Sequence, residues 1–161
     1  IVGSFQRDTE GSDLRSPKLE KGPDLFCEIV EDLHSKHCNI HVLLAGWRRQ
    51  YIINRLNQSN IQYSYCELAD FALLNKMYNC LDLYICSSRY EGGPQAIPEC
   101  AATKTPIIST DVGCAEEYLH PSSIFTMPKY SSAKPNVDFA FKNAKKKLLP
   151  NGINRFRDIL I

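Results

Sequence analysis

Apolar residues fall along this chain in two recurring patterns. The first is a short, nearly continuous run: IVGSF (1–5), IHVLLAG (40–46), LDLYICSS (81–88) and TPIIST (105–110). Runs of this length, rich in Val, Ile and Leu, read as strands covered on both faces of a sheet. IQYSY (61–65) alternates and is rich in β-formers, and SSIFTM (122–127) reads as a further strand. The second pattern has helical spacing. Over 23–37 the apolar positions 25, 26, 29, 30 and 33 lie on one stripe, and Pro23 stands near the first turn, where a missing N–H costs nothing. The same spacing predicts helices over 47–59, 70–80, 94–104, 113–120, 137–149 and 153–161, with Asp70 capping the 70–80 segment. Residues 6–21 are polar, carry Gly, Ser and Pro, and read as a long loop.

Strand and helix therefore alternate about six times. Buried strands separated by helices of this length imply an α/β fold, a doubly wound Rossmann-like parallel sheet of about six strands with helices on both faces. One such domain accounts for residues 1–161. Sheets of this kind bind ligands at the carboxyl ends of their strands, near the point where strand order reverses.

Composition narrows the function classes. A formal net charge of +1 gives no bulk electrostatic support for a nucleic-acid partner. No apolar run approaches the length of a membrane span, and no signal-peptide pattern opens the chain. Seven cysteines, odd in number, irregularly spaced and without a CxxC, read as reduced residues in or near the core of a cytoplasmic protein. His34, His37 and Cys38 would share a helix face, but a fourth ligand is not evident, so no metal is expected. The KKK of 145–147 reads as a solvated helix end favoured by the dipole.

The polar clusters of note all follow strands, so the fold would gather them along one edge. Gly92 and Gly93 remove side chains where backbone could approach a ligand, and the helix behind them offers free N–H groups and a positive dipole end. Arg7, Lys18 and Lys21, in the loop after the first strand, could neutralise a diphosphate; alone they could equally be a solvated basic loop. Glu91 and Glu99 could each accept hydrogen bonds from vicinal hydroxyls; alone, Glu99 reads as a charge suited to a helix start.

Taken in order, the clusters are more specific. E-G-G-P-x-x-x-x-E (91–99), then A-A-x-K-T-P-I-I-S-T-D-V-G-x-x-E-E (101–117), with K-G-P-D (21–24) upstream, resemble the donor-binding, C-terminal domain of a retaining glycosyltransferase of GT-B architecture, in the large family that includes sucrose, mannosyl and glycan-chain transferases. The resemblance runs from Ile1 to about residue 125. It implies that Glu91 bonds hydroxyls of the transferred hexose and Glu99 holds the ribose of a UDP- or GDP-linked donor. It implies that the backbone around Gly92, Gly93, Pro94 and Gln95 lies beside sugar and diphosphate, and that Lys21 binds the diphosphate and stabilises the departing nucleotide. Leu68 falls where relatives frame the base. No metal cofactor is implied, because cationic groups can meet the leaving charge.

The pattern is departed from at three places. Where the family carries Arg after the first strand's glycine, this chain has Ser4, and Arg7 is the expected substitute. Pro98 sits inside the motif helix, which is therefore expected to start near Ala96 or Ile97. Cys114 stands beside Gly113 in place of a smaller residue. The family places its acceptor site on an N-terminal domain, and the chain enters directly on a strand at Ile1. The expectation is thus the C-terminal half of a longer transferase, inactive alone, partnered by an acceptor-binding domain and, in the parent, by peripheral association with a membrane. The alternative from another class is a stand-alone, non-catalytic nucleotide- or sugar-binding module. A receiver-type regulatory domain would need an acidic cluster after the first strand and a phosphoacceptor Asp, and neither pattern is evident.

Overall fold

The computed structural model describes residues 1–37 and 39–160. Six strands form one parallel sheet: β1 (Val2–Ser4), β4 (His41–Ala45), β5 (Gln62–Cys66), β6 (Leu83–Cys86), β7 (Ile107–Thr110) and β8 (Ile124–Phe125). The loop predicted over 6–21 contains two more, β2 (Thr9–Glu10) and β3 (Ser16–Pro17), paired antiparallel as a small separate hairpin. The large sheet runs β5-β4-β1-β6-β7-β8. The chain starts in the middle, builds outward through β4 and β5, then returns across β1 to build the other half. The order reverses at β1, which pairs with β4 on one side and β6 on the other.

Among the described residues seven α-helices connect or follow these strands: α1 (Pro23–Lys36), α2 (Gln50–Gln58), α3 (Phe71–Asn79), α4 (Ala96–Thr103), α5 (Ala115–Tyr118), α6 (Val137–Lys147) and α7 (Asn151–Leu160). Two cores result, one on each sheet face. Val42, Leu44, Ile85 and Ile108 point to the side covered by Phe26, Ile29 and Val30 of α1 and Ile52 and Leu56 of α2. Tyr84, Cys86 and Ile107 point to the side covered by Tyr78 of α3, Ile97 and Cys100 of α4, Leu119 after α5 and Ala140 and Ala144 of α6. Successive strand residues alternate between the two cores, as the period of two requires. This is why the strands read as unbroken apolar runs.

Helix starts follow local chemistry. Asp70 caps α3 by accepting from the Leu73 N–H at 2.7 Å. Pro23 opens α1, directly after Gly22. The 47–59 helix starts only at Gln50, leaving Trp47, Arg48 and Arg49 in the loop after β4. The last predicted strand is shorter than expected; the final helix, predicted over 153–161, begins at Asn151, and Ile161 lies outside the described residues.

Of the cysteines, Cys27, Cys86 and Cys100 are buried, Cys66 and Cys114 half-buried, and Cys80 exposed; all six are free thiols. Burial pushes the Cys27 thiol up to about 12, so it stays protonated and inert. The exposure of Cys80 departs from the near-core expectation, because it caps the C-terminus of α3. Cys38, the third member of the His34–His37–Cys38 group, lies outside the described residues. Among the described residues no helix is long and apolar enough to cross a membrane.

Candidate functional site

The loop after β6, Ser87–Gln95, is the centre of the carboxyl edge, and two other loops are packed against it. On one side lies the turn ending in Lys21-Gly22. Gly22 takes a left-handed backbone, φ +60°, and a Cβ placed there would lie 1.8 Å from the Ser87 carbonyl oxygen. Only glycine permits that approach. The contact is then stitched: the Arg89 and Tyr90 N–H groups donate to the Glu20 carbonyl at 2.8 and 3.2 Å, and the Ser87 hydroxyl donates to the Gly22 carbonyl at 2.8 Å. Arg89 also forks onto Asp24 in the first turn of α1, with N–O distances of 2.7 and 2.6 Å. Partial burial raises the Asp24 carboxyl, but the Arg89 hydrogen bonds and charge outweigh it, so its pKa lies below the ordinary value of 3.8.

On the other side lies the loop after β7. Gly113 is also left-handed, φ +53°, and a Cβ there would sit 2.7 Å from the Glu91 carbonyl oxygen and 2.8 Å from Gly92 backbone atoms. Thr110 donates its hydroxyl to the Ser88 carbonyl at 2.5 Å. The three separated motif segments, K-G-P-D, E-G-G-P and T-D-V-G, are therefore one physical unit. Each glycine outside the central turn exists to let backbone meet backbone. Gly92 and Gly93 differ: a Cβ at either would meet nothing within 4 Å, so their turn faces open space.

Within this unit Lys21 and Glu91 come together as an ion pair, both side chains about one-fifth exposed. Glu91 also accepts from the buried Ser88 hydroxyl at 2.9 Å. Gln6, after β1, closes the circle: its Nε2 donates to the Lys21 carbonyl at 2.9 Å, and its Oε1 lies 3.3 Å from the Ser88 hydroxyl. Glu91 thus faces a cation and a hydroxyl.

Helix α4 begins directly behind the glycine turn. Gln95 is its N-cap and Ala96 its first residue. Pro98 fits without distortion because it lies in the first turn, where backbone N–H groups have no intrahelical partner anyway. The Pro94 carbonyl, which a residue at 98 would otherwise address, accepts from the Ile97 N–H at 3.0 Å instead. Glu99 follows, half-buried, with one carboxylate oxygen held by the Tyr78 hydroxyl of α3 at 2.6 Å. Between α3 and α4 runs a groove of about 210 Å³ lined by Phe71, Leu74, Asn75, Tyr78, Glu99 and Thr103.

Other sequence candidates are placed differently. Ser4 is 1% exposed, and both its carbonyl and its hydroxyl oxygen accept from Arg49, at 2.6 and 3.1 Å. Among the described residues Arg7 makes no hydrogen bond or ion pair with Lys21 or Glu91. Its guanidinium donates to the Thr9 carbonyl at 3.1 Å and lies 5.4 Å from the centre of the Trp47 ring, which Arg48 covers at 4.6 Å. Lys18 pairs with Glu20 at 3.0 Å. Leu68 is 85% exposed on the loop after β5, between that strand and the Phe71 end of the groove.

Arg49, Asp8 and Tyr78 were not singled out by sequence reasoning. Arg49 is fully buried and donates to Asp8 at 2.5 Å and to the Ser4 and Ala45 carbonyls. It locks the loop after β1 to the end of β4. A second arginine directly after a buried strand is a weak signal for such a lock, and Arg48-Arg49 reads as readily as a solvated helix start.

Strand order and this edge together define the class: a Rossmann-like domain with its glycine-bearing loops gathered at the carboxyl edge of the sheet. The model of the family "Glycosyl transferases group 1" matches residues 13–137, and the chain belongs to that family. Comparison with curated proteins finds no match. Among solved structures, the fold is similar to a S. aureus TarM variant in complex with fondaparinux, alpha-GlcNAc-glycerol and UDP (TM-score 0.72, 16% identity, 98% of this chain and 34% of that one). It is similar to sucrose-phosphate synthase from Thermosynechococcus elongatus (0.70, 13%, 99% and 45%). It is also similar to the C-terminal domain of a glycosyl transferase group 1 family protein from Francisella tularensis (0.65, 17%, 88% and 84%). The chain thus spans about a third of TarM and most of the isolated C-terminal domain.

Proposed function

We propose that this chain is the donor-binding half of a retaining hexosyltransferase and holds a nucleotide-diphospho-sugar at the carboxyl edge of its sheet. The observation that carries the reading is the convergence of Lys21, Glu91 and the open Gly92-Gly93 turn at the start of α4, with Glu99 four residues into the helix. A cation and a helix N-terminus suit a diphosphate. A carboxylate beside them suits the hydroxyls of the sugar, and a second carboxylate at a groove suits the ribose. In this reading the sugar–phosphate bond breaks heterolytically, and the charge left on the diphosphate is met by Lys21 and the N–H groups of the α4 turn, without a metal. The glycosyl carbon, left oxocarbenium-like, is attacked from an acceptor held by the parent's other domain. In this reading Lys21 is the cation that meets the diphosphate first.

Calorimetric titration with UDP, GDP and ADP tests the reading. One of the three is expected to bind, and Lys21→Ala to weaken that binding by about tenfold or more. Absence of binding by all three at millimolar concentration contradicts it. The second reading, a non-catalytic nucleotide- or sugar-binding module, predicts the same titration but no transfer by the full-length parent chain.

A further inference from the structure

Tyr78 is 3% exposed yet spends its hydroxyl on a half-buried carboxylate at the edge of a groove. The phenol is held from behind by an aromatic cluster. Phe5 meets Tyr78 edge-on with ring centres 4.9 Å apart and meets Tyr84 at 5.5 Å, while Tyr78 and Tyr84 lie 5.8 Å apart. Tyr84 is anchored in turn, its oxygen accepting the Phe5 N–H at 3.0 Å. A ring so packed has little freedom to rotate, so its O–H direction is set by the core. Burial above all, with the Glu99 carboxylate adding, pushes the Tyr78 phenol well above its ordinary range, so it remains a donor at any physiological pH.

A glutamate side chain has three rotatable bonds and two equivalent oxygens. Without Tyr78, Glu99 would sample several rotamers and present either oxygen. With it, Oε2 is engaged, and Oε1 makes no hydrogen bond among the described residues. The Thr103 hydroxyl, one turn on, bonds the Glu99 backbone carbonyl at 2.8 Å, not the carboxylate.

We propose that Tyr78 is a positioning residue for nucleotide binding: by fixing Oε2 of Glu99 it presents the remaining oxygen to the 2′,3′-diol of a ribonucleotide, and so sets preference for ribose over a sugar lacking that diol. The inference rests on the donor-site reading above. It adds a selectivity determinant that does not itself touch ligand. A pre-oriented acceptor loses less entropy on binding a diol than a free one does, and it discriminates against a ligand that leaves it unpaired.

The test uses whichever of UDP, GDP and ADP binds the wild-type chain, with its 2′,3′-dideoxy counterpart as second probe. Tyr78→Phe keeps the ring and removes only the hydroxyl. It is expected to weaken the ribonucleotide by about tenfold and leave the dideoxy form unchanged, collapsing the ratio between them. In a Glu99→Gln background, Tyr78→Phe is expected to add no further loss. Equal weakening of both ligands would overturn the proposal, because a merely structural role acts on both alike. Unchanged ribonucleotide binding would overturn it too, and would leave the donor-site reading intact. If the wild-type chain binds none of the three nucleotides, the donor-site reading fails and this inference fails with it.

Discussion

Gly22 and Gly113 hold positions at which a side chain has neither the backbone conformation nor the space it needs. Both lie outside the turn that faces the proposed donor, and both bring a flanking loop onto it. Gly113→Ala combines a left-handed strain of about 1–3 kcal/mol with a Cβ 2.7 Å from the Glu91 carbonyl oxygen. We expect a lower urea midpoint and weaker nucleotide binding together. Unchanged stability would mean that the loop after β7 is not packed as described. Asp24 and Arg89 hold the opposite loop. Because the folded Asp24 carboxyl is depressed below 3.8, the contribution of this pair is fully present above that value. It is lost as pH falls below 3.8 through the lowered folded value, where the folded state must take up the proton. Asp24→Asn is expected to lower stability at neutral pH and to flatten this part of the acid dependence, read from urea midpoints across the acidic range. An identical acid profile in the variant would contradict the assignment.

At the scale of elements, α4 carries the heaviest demand, since it must start at the glycine turn and still bring Glu99 to Tyr78. Pro98 is compatible with this because it lies in the first turn, with the Pro94 carbonyl already served by Ile97. Pro98→Ala is therefore expected to cost less than about 1 kcal/mol, through greater freedom of the unfolded chain. A stabilisation near 3 kcal/mol in thermal or urea unfolding would indicate a proline breaking a regular helix. Most elements were legible in the sequence, because strands covered on both faces must be apolar throughout and the helices between them keep one apolar stripe. The central strand β1, with Val2, and the inner strands β6 and β7, with Ile85 and Ile108, are the clearest cases. The small hairpin Thr9–Glu10 with Ser16–Pro17 was not legible, since two-residue strands leave no periodicity. Nor was the start of α2: Trp47, Arg48 and Arg49 have helical propensity, but Arg49 is drawn inward by Asp8 and the Ser4 carbonyl. Local pattern cannot register a partner that lies 41 residues away. The acids and glycines of the site were visible as a motif. The contacts that hold them, Tyr78 on Glu99 and Ser88 on Glu91, were not, because a tyrosine on an apolar helix face and a serine after a strand have many ordinary uses.

For the whole molecule, the parallel sheet reverses its strand order at β1, and Gln6, Lys21, Ser88, Glu91 and Glu99 gather on loops and a helix start around that reversal and the adjoining β6. Three glycine-bearing loops pack into one surface around the open Gly92-Gly93 turn. Membership of the group 1 glycosyltransferases fits that arrangement, and in the proposed reading Lys21, Glu91 and Glu99 each meet one part of a donor. The measurement that tests this most directly is a crystal structure of the chain with the nucleoside diphosphate that binds it. The expected result is the diphosphate against Lys21 and the Gly92-Gly93 turn and the ribose hydroxyls on Glu99, with the base toward Leu68 and the α3–α4 groove. A nucleotide seated elsewhere, with the Lys21–Glu91 pair and Glu99 untouched, would contradict it.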